Sequence, residues 1–433
     1  MTTRREGSRA ASRERAALVS LITRASRSVD PDVSVEELAG LARAAGAEVV
    51  LRVSQDRPLA DPATFIGRGK AEMLALAASE ADVDLVIVDQ ELTPAQATNL
   101  QEIVGRRVID RTQLILDIFA RRARTKEGQL QVELAQLQYL LPRLAGSSTA
   151  LSRLGGGIGT RGPGETKLET DRRRLRDRIS VLKADIAVVA KRRGYLRARR
   201  RRTDVPTVAL VGYTNAGKTT LFNALTGAHA VASHALFVTL DPLVRRVKLA
   251  DARQVLVSDT VGFIDRLPHQ LVASFRATLE EVAAADLLLH VIDASAPDRD
   301  RQMAAVHSVL EDVGAHHVPV LEVFNKIDLI DGAELAQRQA SRPGAVWISA
   351  KSPEGRAALV DRIVAALGMD AQRMEWRLDE RRDADRRLIA DLYRHARVVS
   401  HVRAGDTSVD VAADVPKRWV GRFRRARRAE MRA

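Results

Sequence analysis

Between residues 33 and 124 the apolar positions follow two alternating patterns: a three-to-four residue spacing, then short apolar runs. SVEELAGLARAAG (34–46) has the helical spacing and AEVVLRV (47–53) is a run of strand length. The pair recurs in KAEMLALAASEA (70–81) with VDLVIVD (83–89), and in TPAQATNLQEIVG (93–105) with RRVID (106–110). TQLILDIFARRA (112–123) adds a final helix. Alternating strands and helices predict a small parallel α/β domain over 31–125. Residues 1–30 are expected to be mobile. TFIGRGK (64–70) lies between a loop and a helix and reads as a tight turn or an anion-binding helix start; it is too short for a phosphate-loop signature.

The pattern then changes. Leu130, Leu134, Leu137, Leu141 and Leu144 are spaced 4, 3, 4, 3; Leu168, Leu175, Ile179, Leu182, Ile186 and Val189 are spaced 7, 4, 3, 4, 3. Each set is the apolar seam of a helix that packs on another. Residues 145–164 between them hold seven of the chain's 26 glycines. Two facing seams with one connection predict an antiparallel helical hairpin over 126–202, with a glycine-rich tip in which Gly162, Pro163 and Gly164 form a turn. Strand-and-helix alternation returns over 203–368. A small α+β domain is expected over 369–433, with a helix in DADRRLIADLYRHA (383–396), a β-hairpin turning near Gly405 and a basic tail. The fold class is therefore multidomain α/β.

Charge separates these regions. Residues 171–202 hold 14 Lys and Arg against 3 Asp, and residues 417–433 hold 8 against 1 Glu, whereas 205–368 hold 15 against 18 acids. Two basic segments flanking a mildly acidic domain suit a polyanionic partner, with nucleic acid the expected one. The chain contains no cysteine, which excludes disulfides and thiolate metal sites, and its nine histidines show no ligand spacing. No apolar run approaches the roughly 20 residues that span a bilayer, and the N-terminus lacks a signal-peptide core. A cytoplasmic location is expected.

The chemistry is concentrated in TVALVGYTNAGKTTLFNAL (207–225). An apolar strand runs into G-x-x-x-x-G-K-T and then a helix, the context a phosphate loop requires. Backbone N–H groups of Gly212, Tyr213, Thr214, Asn215, Ala216 and Gly217 can close around phosphates, with Lys218 supplying a charge to the β- and γ-phosphates. The Thr219 hydroxyl can ligate Mg²⁺, and Thr220 continues the helix start. Three further motifs follow in order, each after an apolar strand. In DTVG (259–262), Asp259 can hold Mg²⁺ through water and the Gly262 N–H can contact the γ-phosphate. In NKID (325–328), Asn325 and Lys326 precede Asp328, whose carboxylate can accept the N1–H and 2-amino donors that guanine has and adenine lacks. In Ser349-Ala350-Lys351 a backbone N–H can support the base. Together the four motifs define a GTP-binding domain and a GTP hydrolase, with Lys218, Thr239 and Gly262 as the candidate catalytic groups. Thr239 can complete the Mg²⁺ shell and sense the γ-phosphate; Thr214 is a competitor for that role but lies inside the phosphate loop. Where many GTPases carry a water-orienting glutamine after this glycine, the chain has Phe263, so unassisted hydrolysis is expected to be slow.

The chain as a whole resembles the HflX family of ribosome-associated GTPases. The resemblance rests on FIGRGK (65–70), RTQLILDIFARRARTKEGQLQVELAQLQYLLPRL (111–144), GGGIGTRGPGETKLETDRR (155–173), VGYTNAGKTTLFNAL (211–225), TLDP (239–242) and DTVGFI (259–264), in that order. It implies binding of GTP and GDP with Mg²⁺, binding to the large ribosomal subunit and its rRNA, and GTP-dependent splitting of stalled or idle ribosomes in stress, by a monomer. It also implies that the glycine loop is a probe at the end of an arm, with Arg153, Gly155, Gly156, Gly157, Arg161, Gly162 and Gly164 against folded RNA and Arg172, Arg173 and Arg174 along phosphates. Two other readings remain open: a GTP-switched assembly or hibernation factor without splitting activity, and nucleotide-dependent RNA remodelling by the N-terminal domain.

Overall fold

The computed structural model describes residues 13–430 apart from 25–29, 147–162, 202–204, 229, 231–235, 250–252, 266–275 and 406. The first sheet is parallel, in the order β2-β1-β3-β4. Its strands are β1 (Arg15–Ile22), β2 (Glu48–Asp56), β3 (Leu85–Val88) and β4 (Arg107–Asp110), with helices α1 (Pro31–Ala44), α2 (Arg68–Glu80), α3 (Pro94–Val104) and α4 (Arg111–Arg122). The expected alternation over 34–123 is present. The expectation of a mobile segment over 1–30 is wrong for Arg15–Ile22; 1–12 and 25–29 lie outside the described residues. RAALVSLI forms β1, an inner strand hydrogen-bonded to β2 on one side and β3 on the other. Its apolar run resembles that of β3, but it follows an arginine- and serine-rich stretch, and its place inside the sheet comes from pairing with the distant segments β2 and β3.

The hairpin is formed by α5 (Lys126–Gly146) and the 39-residue α6 (Pro163–Arg201). Ile179 and Leu182 are buried in the seam, as is Leu130 on α5. Ion pairs Arg178–Glu133 and Arg193–Glu127 cross it in antiparallel sense. The seam is one face only of α5. Val132, Ala135 and Tyr139 turn to the N-terminal domain, and Arg143 stacks over Tyr139 while its guanidinium binds Asp110 at 2.9 Å. α5 is thus bolted to the first sheet along its length, as far as its C-terminal end beside the glycine-rich connection. The predicted turn at 162–164 is corrected in part: Pro163 opens α6 and Gly164 is its second residue. Proline suits a first helical turn because its missing N–H has no partner to lose there.

The third region has a six-stranded sheet in the order β10-β9-β8-β5-β7-β6. Its strands are β5 (Thr207–Val211), β6 (Leu243–Lys248), β7 (Gln254–Asp259), β8 (Leu287–Asp293), β9 (Val320–Asn325) and β10 (Val346–Trp347), and only β6 runs antiparallel. Helices α7 (Lys218–Thr226), α8 (Arg276–Ala283), α9 (Arg299–Asp312), α10 (Gly332–Ser341) and α11 (Glu354–Ala366) accompany it. The last region is an antiparallel sheet, β11-β13-β12, of β11 (Ala371–Asp379), β12 (Arg397–Arg403) and β13 (Ser408–Pro416), packed with α12 (Asp383–His395) and α13 (Lys417–Glu430). The predicted helix and hairpin are there, joined by a strand that was not foreseen. The basic tail is a helix whose Val420 and Phe423 enter the core.

The N-terminal and GTP-binding regions share a core. Leu38, Leu116 and Phe119 from the first pack in one cluster with Phe237, Leu240, Phe263 and Ile264 from the second. The rings of Phe119 and Phe237 meet edge to face at 4.7 Å.

Candidate functional site

The site is built where β5 ends. Gly212 has φ of 148°, and a Cβ there would sit 2.2 Å from the Val291 carbonyl oxygen. Gly217 has φ of 96°, and a Cβ would sit 2.2 Å from Asn325 Nδ2. Both positions combine a left-handed backbone with close approach, which leaves glycine as the residue that fits. The loop they bend leads into α7, whose first-turn N–H groups face the cavity as an anion site. Lys218 opens that helix. Its ammonium lies 2.7 Å from the Tyr213 carbonyl and 3.0 Å from that of Gly212. Burial pulls its pKa down to about 8, against the opposing pull of Asp259.

Three oxygens converge beside it. Asp259 Oδ2, at the end of β7, accepts from Thr219 Oγ1 at 2.8 Å and Thr239 Oγ1 at 3.0 Å, and the two hydroxyls are 2.9 Å apart. Burial pushes the Asp259 carboxyl above its ordinary pKa while Lys218 holds it down. Its Oδ1 is buried without a hydrogen-bond partner. An orphaned carboxylate oxygen beside two hydroxyls is a hard-oxygen donor set that fits a small divalent cation keeping several waters. Among the described residues no cluster of three His, Cys, Asp or Glu offers a rival metal site.

Gly262 lies against the loop: a Cβ there would be 2.9 Å from Thr214 Cα and 3.1 Å from Lys218 Nζ. The next residue pairs with the loop backbone, Phe263 N to Gly212 O at 3.1 Å and Thr214 N to Phe263 O at 2.7 Å. The Phe263 side chain is only 3% exposed and belongs to the shared core. It therefore neither orients water nor lines the phosphate cavity.

That cavity encloses about 400 Å³. Thr214, Asn215, Gly217, Lys218, Thr219, Thr220 and Thr239 line one end, with Gly262; Asn325, Lys326, Asp328, Ser349, Ala350 and Lys351 line the other. Asp328 is exposed, and a hydrogen bond from the Ser349 side chain holds its carboxyl below the ordinary range, which keeps it an acceptor. Asn325 does not face the cavity as a free amide. Its Nδ2 donates to Ala216 O at 2.9 Å and its Oδ1 accepts from Ala350 N at 2.8 Å, so it stitches the base-reading loop to the phosphate loop. Lys326 is tied to Asp293 at 2.6 Å.

The remaining candidates are not all brought together here. Gly212, Ala216 and Asp259 stand behind the lining. Tyr213 gives only its backbone to the loop. Its ring turns away to the N-terminal domain, where the hydroxyl donates to Glu37 and accepts from Asp265 N at 2.9 Å. Glu37 is shared with Arg111, which also binds Asp89 at 2.9 Å. Phe237, Val238, Thr260 and Leu329 line the cavity without having been foreseen. Leu329 follows Asp328 directly and is 63% exposed, an apolar side chain left at the cavity rim. Of the RNA candidates, Arg153, Gly155, Gly156, Gly157, Arg161 and Gly162 lie outside the described residues. Arg173 and Arg174 are exposed on α6, whereas Arg172 is half-buried with its Nε enclosed and unpartnered.

Residues 32–120 match a family model described as GTP-binding GTPase N-terminal, residues 122–200 one described as GTP-binding GTPase Middle Region, and residues 207–326 one described as 50S ribosome-binding GTPase. The chain is 50% identical over 355 residues to the GTPase HflX of Caldanaerobacter subterraneus, covering 82% of this chain and 80% of that one. It is 49% identical over 323 residues to the GTPase HflX of Escherichia coli, covering 74% and 76%. Against that of Magnetococcus marinus it is 44% identical over 390 residues, covering 90% and 89%.

Proposed function

The chain belongs to the HflX family of GTPases, and on that premise we propose that it is a Mg²⁺-dependent GTP hydrolase that binds the large ribosomal subunit and uses its nucleotide state to separate ribosomal subunits in the cytoplasm. The observation that carries this reading is the shared core. The segments holding Thr239 and Gly262 are packed directly on the domain that carries the arm, so a change at the γ-phosphate has a route to a distant contact. The family model described as 50S ribosome-binding GTPase and the basic face of α6, with Arg173 and Arg174 exposed, favour ribosomal RNA as that contact.

In this reading the phosphate loop and Lys218 hold the β- and γ-phosphates and offset their charge. Thr219 and Thr239, with Asp259 through water, would hold Mg²⁺, which would supply positive charge to the phosphate oxygens. The Gly262 N–H reports the γ-phosphate. Asp328 selects guanine, and Leu329 with the Lys326 stem walls the base. With the Phe263 ring withdrawn into the core, residue 263 presents no side chain to water, so a group supplied or rearranged by the ribosome completes hydrolysis. Light scattering of 70S ribosomes mixed with protein and GTP tests the proposal. Subunit separation, with GTP turnover accelerated by large subunits, is the expected result; turnover acceleration without separation would favour an assembly or hibernation role instead.

A further inference from the structure

The motif TLDP (239–242) contains an aspartate that none of the nucleotide roles uses. Asp241 points out of the GTP-binding region and onto the start of the arm. Its Oδ2 accepts from the backbone N–H groups of Arg124 and Thr125, each at 2.9 Å, and its Oδ1 accepts from the Thr125 hydroxyl. Thr125 is itself the cap of α5, taking the Gly128 N–H on its Oγ1 at 3.0 Å. The carboxylate thus holds, from another domain, the capping residue of the arm helix and the residue before it, with its negative charge beside the positive end of the helix dipole. The fit is close: a Cβ at Gly128 would lie 2.5 Å from Asp241 Oδ1. Two residues before it, Thr239 reaches Asp259 and Thr219. The intervening Leu240 is buried in the shared core. A three-residue segment therefore joins the oxygen cluster at the phosphate end to the first turn of a helix in a different domain.

We propose that Asp241 is a positioning residue that couples Thr239 to the arm: while Thr239 is held in the oxygen cluster the α5 cap is made, and when Thr239 leaves it the cap loosens and the arm is released. This rests on the reading of Thr239 as the γ-phosphate sensor, and the test separates the two. Hydrogen exchange of the amides at 124–130 is measured in the full-length protein saturated with GDP or with a non-hydrolysable GTP analogue. In the native protein the amides of Arg124 and Thr125 should exchange at least about fivefold more slowly with the analogue, the equivalent of one capping interaction. Asp241→Ala should exchange fast with both nucleotides, while its affinity for each stays within about threefold, since no nucleotide contact is removed. Gly128→Ala, which places a methyl group where the carboxylate oxygen sits, should likewise lose the difference. Asp241→Asn keeps a carbonyl acceptor and should retain part of it. Equal exchange with both nucleotides in the native protein, or an undiminished difference in Asp241→Ala, overturns the proposal. A collapse of nucleotide affinity in Asp241→Ala overturns it too, by placing the residue in the binding machinery. Thr239→Ala is the separating arm: loss of the difference is expected, as in Asp241→Ala; if Thr239→Ala keeps the difference that Asp241→Ala loses, the sensor assignment fails and with it the coupling through Thr239, whereas a difference kept in both variants overturns the role of Asp241.

Discussion

Lys218 makes nucleotide affinity depend on pH in a direction and amount that can be worked out. Burial holds its pKa at about 8 in the nucleotide-free protein, below its ordinary 10.5. A bound triphosphate supplies the negative charge that restores the ammonium, so binding above pH 8 requires uptake of a proton. With a free-protein pKa of about 8 and a bound value above 10, affinity is almost flat below pH 7 and falls by about tenfold between pH 7 and 9. At pH 8, where half of the free protein lacks the proton, binding should take up about half a proton per site. Isothermal titration with GDP in buffers of different ionisation enthalpy counts that proton, and pH 8 lies well above the last phosphate ionisation near about 6. The same shift sets the sign for stability. Because the folded pKa lies below the unfolded one, the cost of burying the ammonium is complete below pH 8. It fades between 8 and 10.5, so the nucleotide-free protein gains stability there while the stabilisation by nucleotide weakens. Flat affinity from pH 7 to 9 with no proton uptake at pH 8 would refute the reasoning and place Lys218 in a far more polar setting.

Asp328→Asn should weaken GTP binding by about 2–4 kcal/mol, the worth of a charged bidentate pair, and shift preference toward xanthosine nucleotides; affinity within twofold of native in a fluorescent-nucleotide titration would end the base-recognition assignment. Phe263→Gln should not accelerate unassisted hydrolysis, because position 263 faces the shared core. It should instead destabilise the fold by about 3 kcal/mol or more through the lost ring and a buried amide, visible as a lowered denaturation midpoint; a faster single-turnover rate would show that the side chain reaches the site. Replacing 155–162 with a short neutral turn should leave nucleotide affinity and unassisted turnover unchanged, since the arm's stability resides in its seam, and should abolish subunit separation at saturating protein; splitting at the native rate would reduce the loop to a linker.

Sequence alone was sufficient wherever the physics is local. The phosphate loop, DTVG, NKID and Ser349-Ala350-Lys351 were legible because each is a backbone conformation or donor set confined to a few residues after an apolar strand, and all four meet at one cavity. The leucine seams were legible because a helix repeats its contacts every three or four residues. β1 was not, although its apolar run resembles that of β3, because pairing with the distant strands β2 and β3 gives it its place, and neither was the folding of the basic tail onto the last sheet, which depends on Val420 and Phe423 finding a core from another segment. Side-chain direction was decided by tertiary structure throughout. Tyr213 sits in the middle of the phosphate loop yet its ring serves Glu37, Asn325 spends its amide joining two loops, and Phe263 is turned into a core that exists because two domains pack together. Asp241 and Thr125 are 116 residues apart, and nothing in either segment specifies the other. A motif fixes what its own backbone can do; which neighbour a side chain meets depends on how distant segments bury their apolar faces against one another, and that is set by the packing of the whole chain.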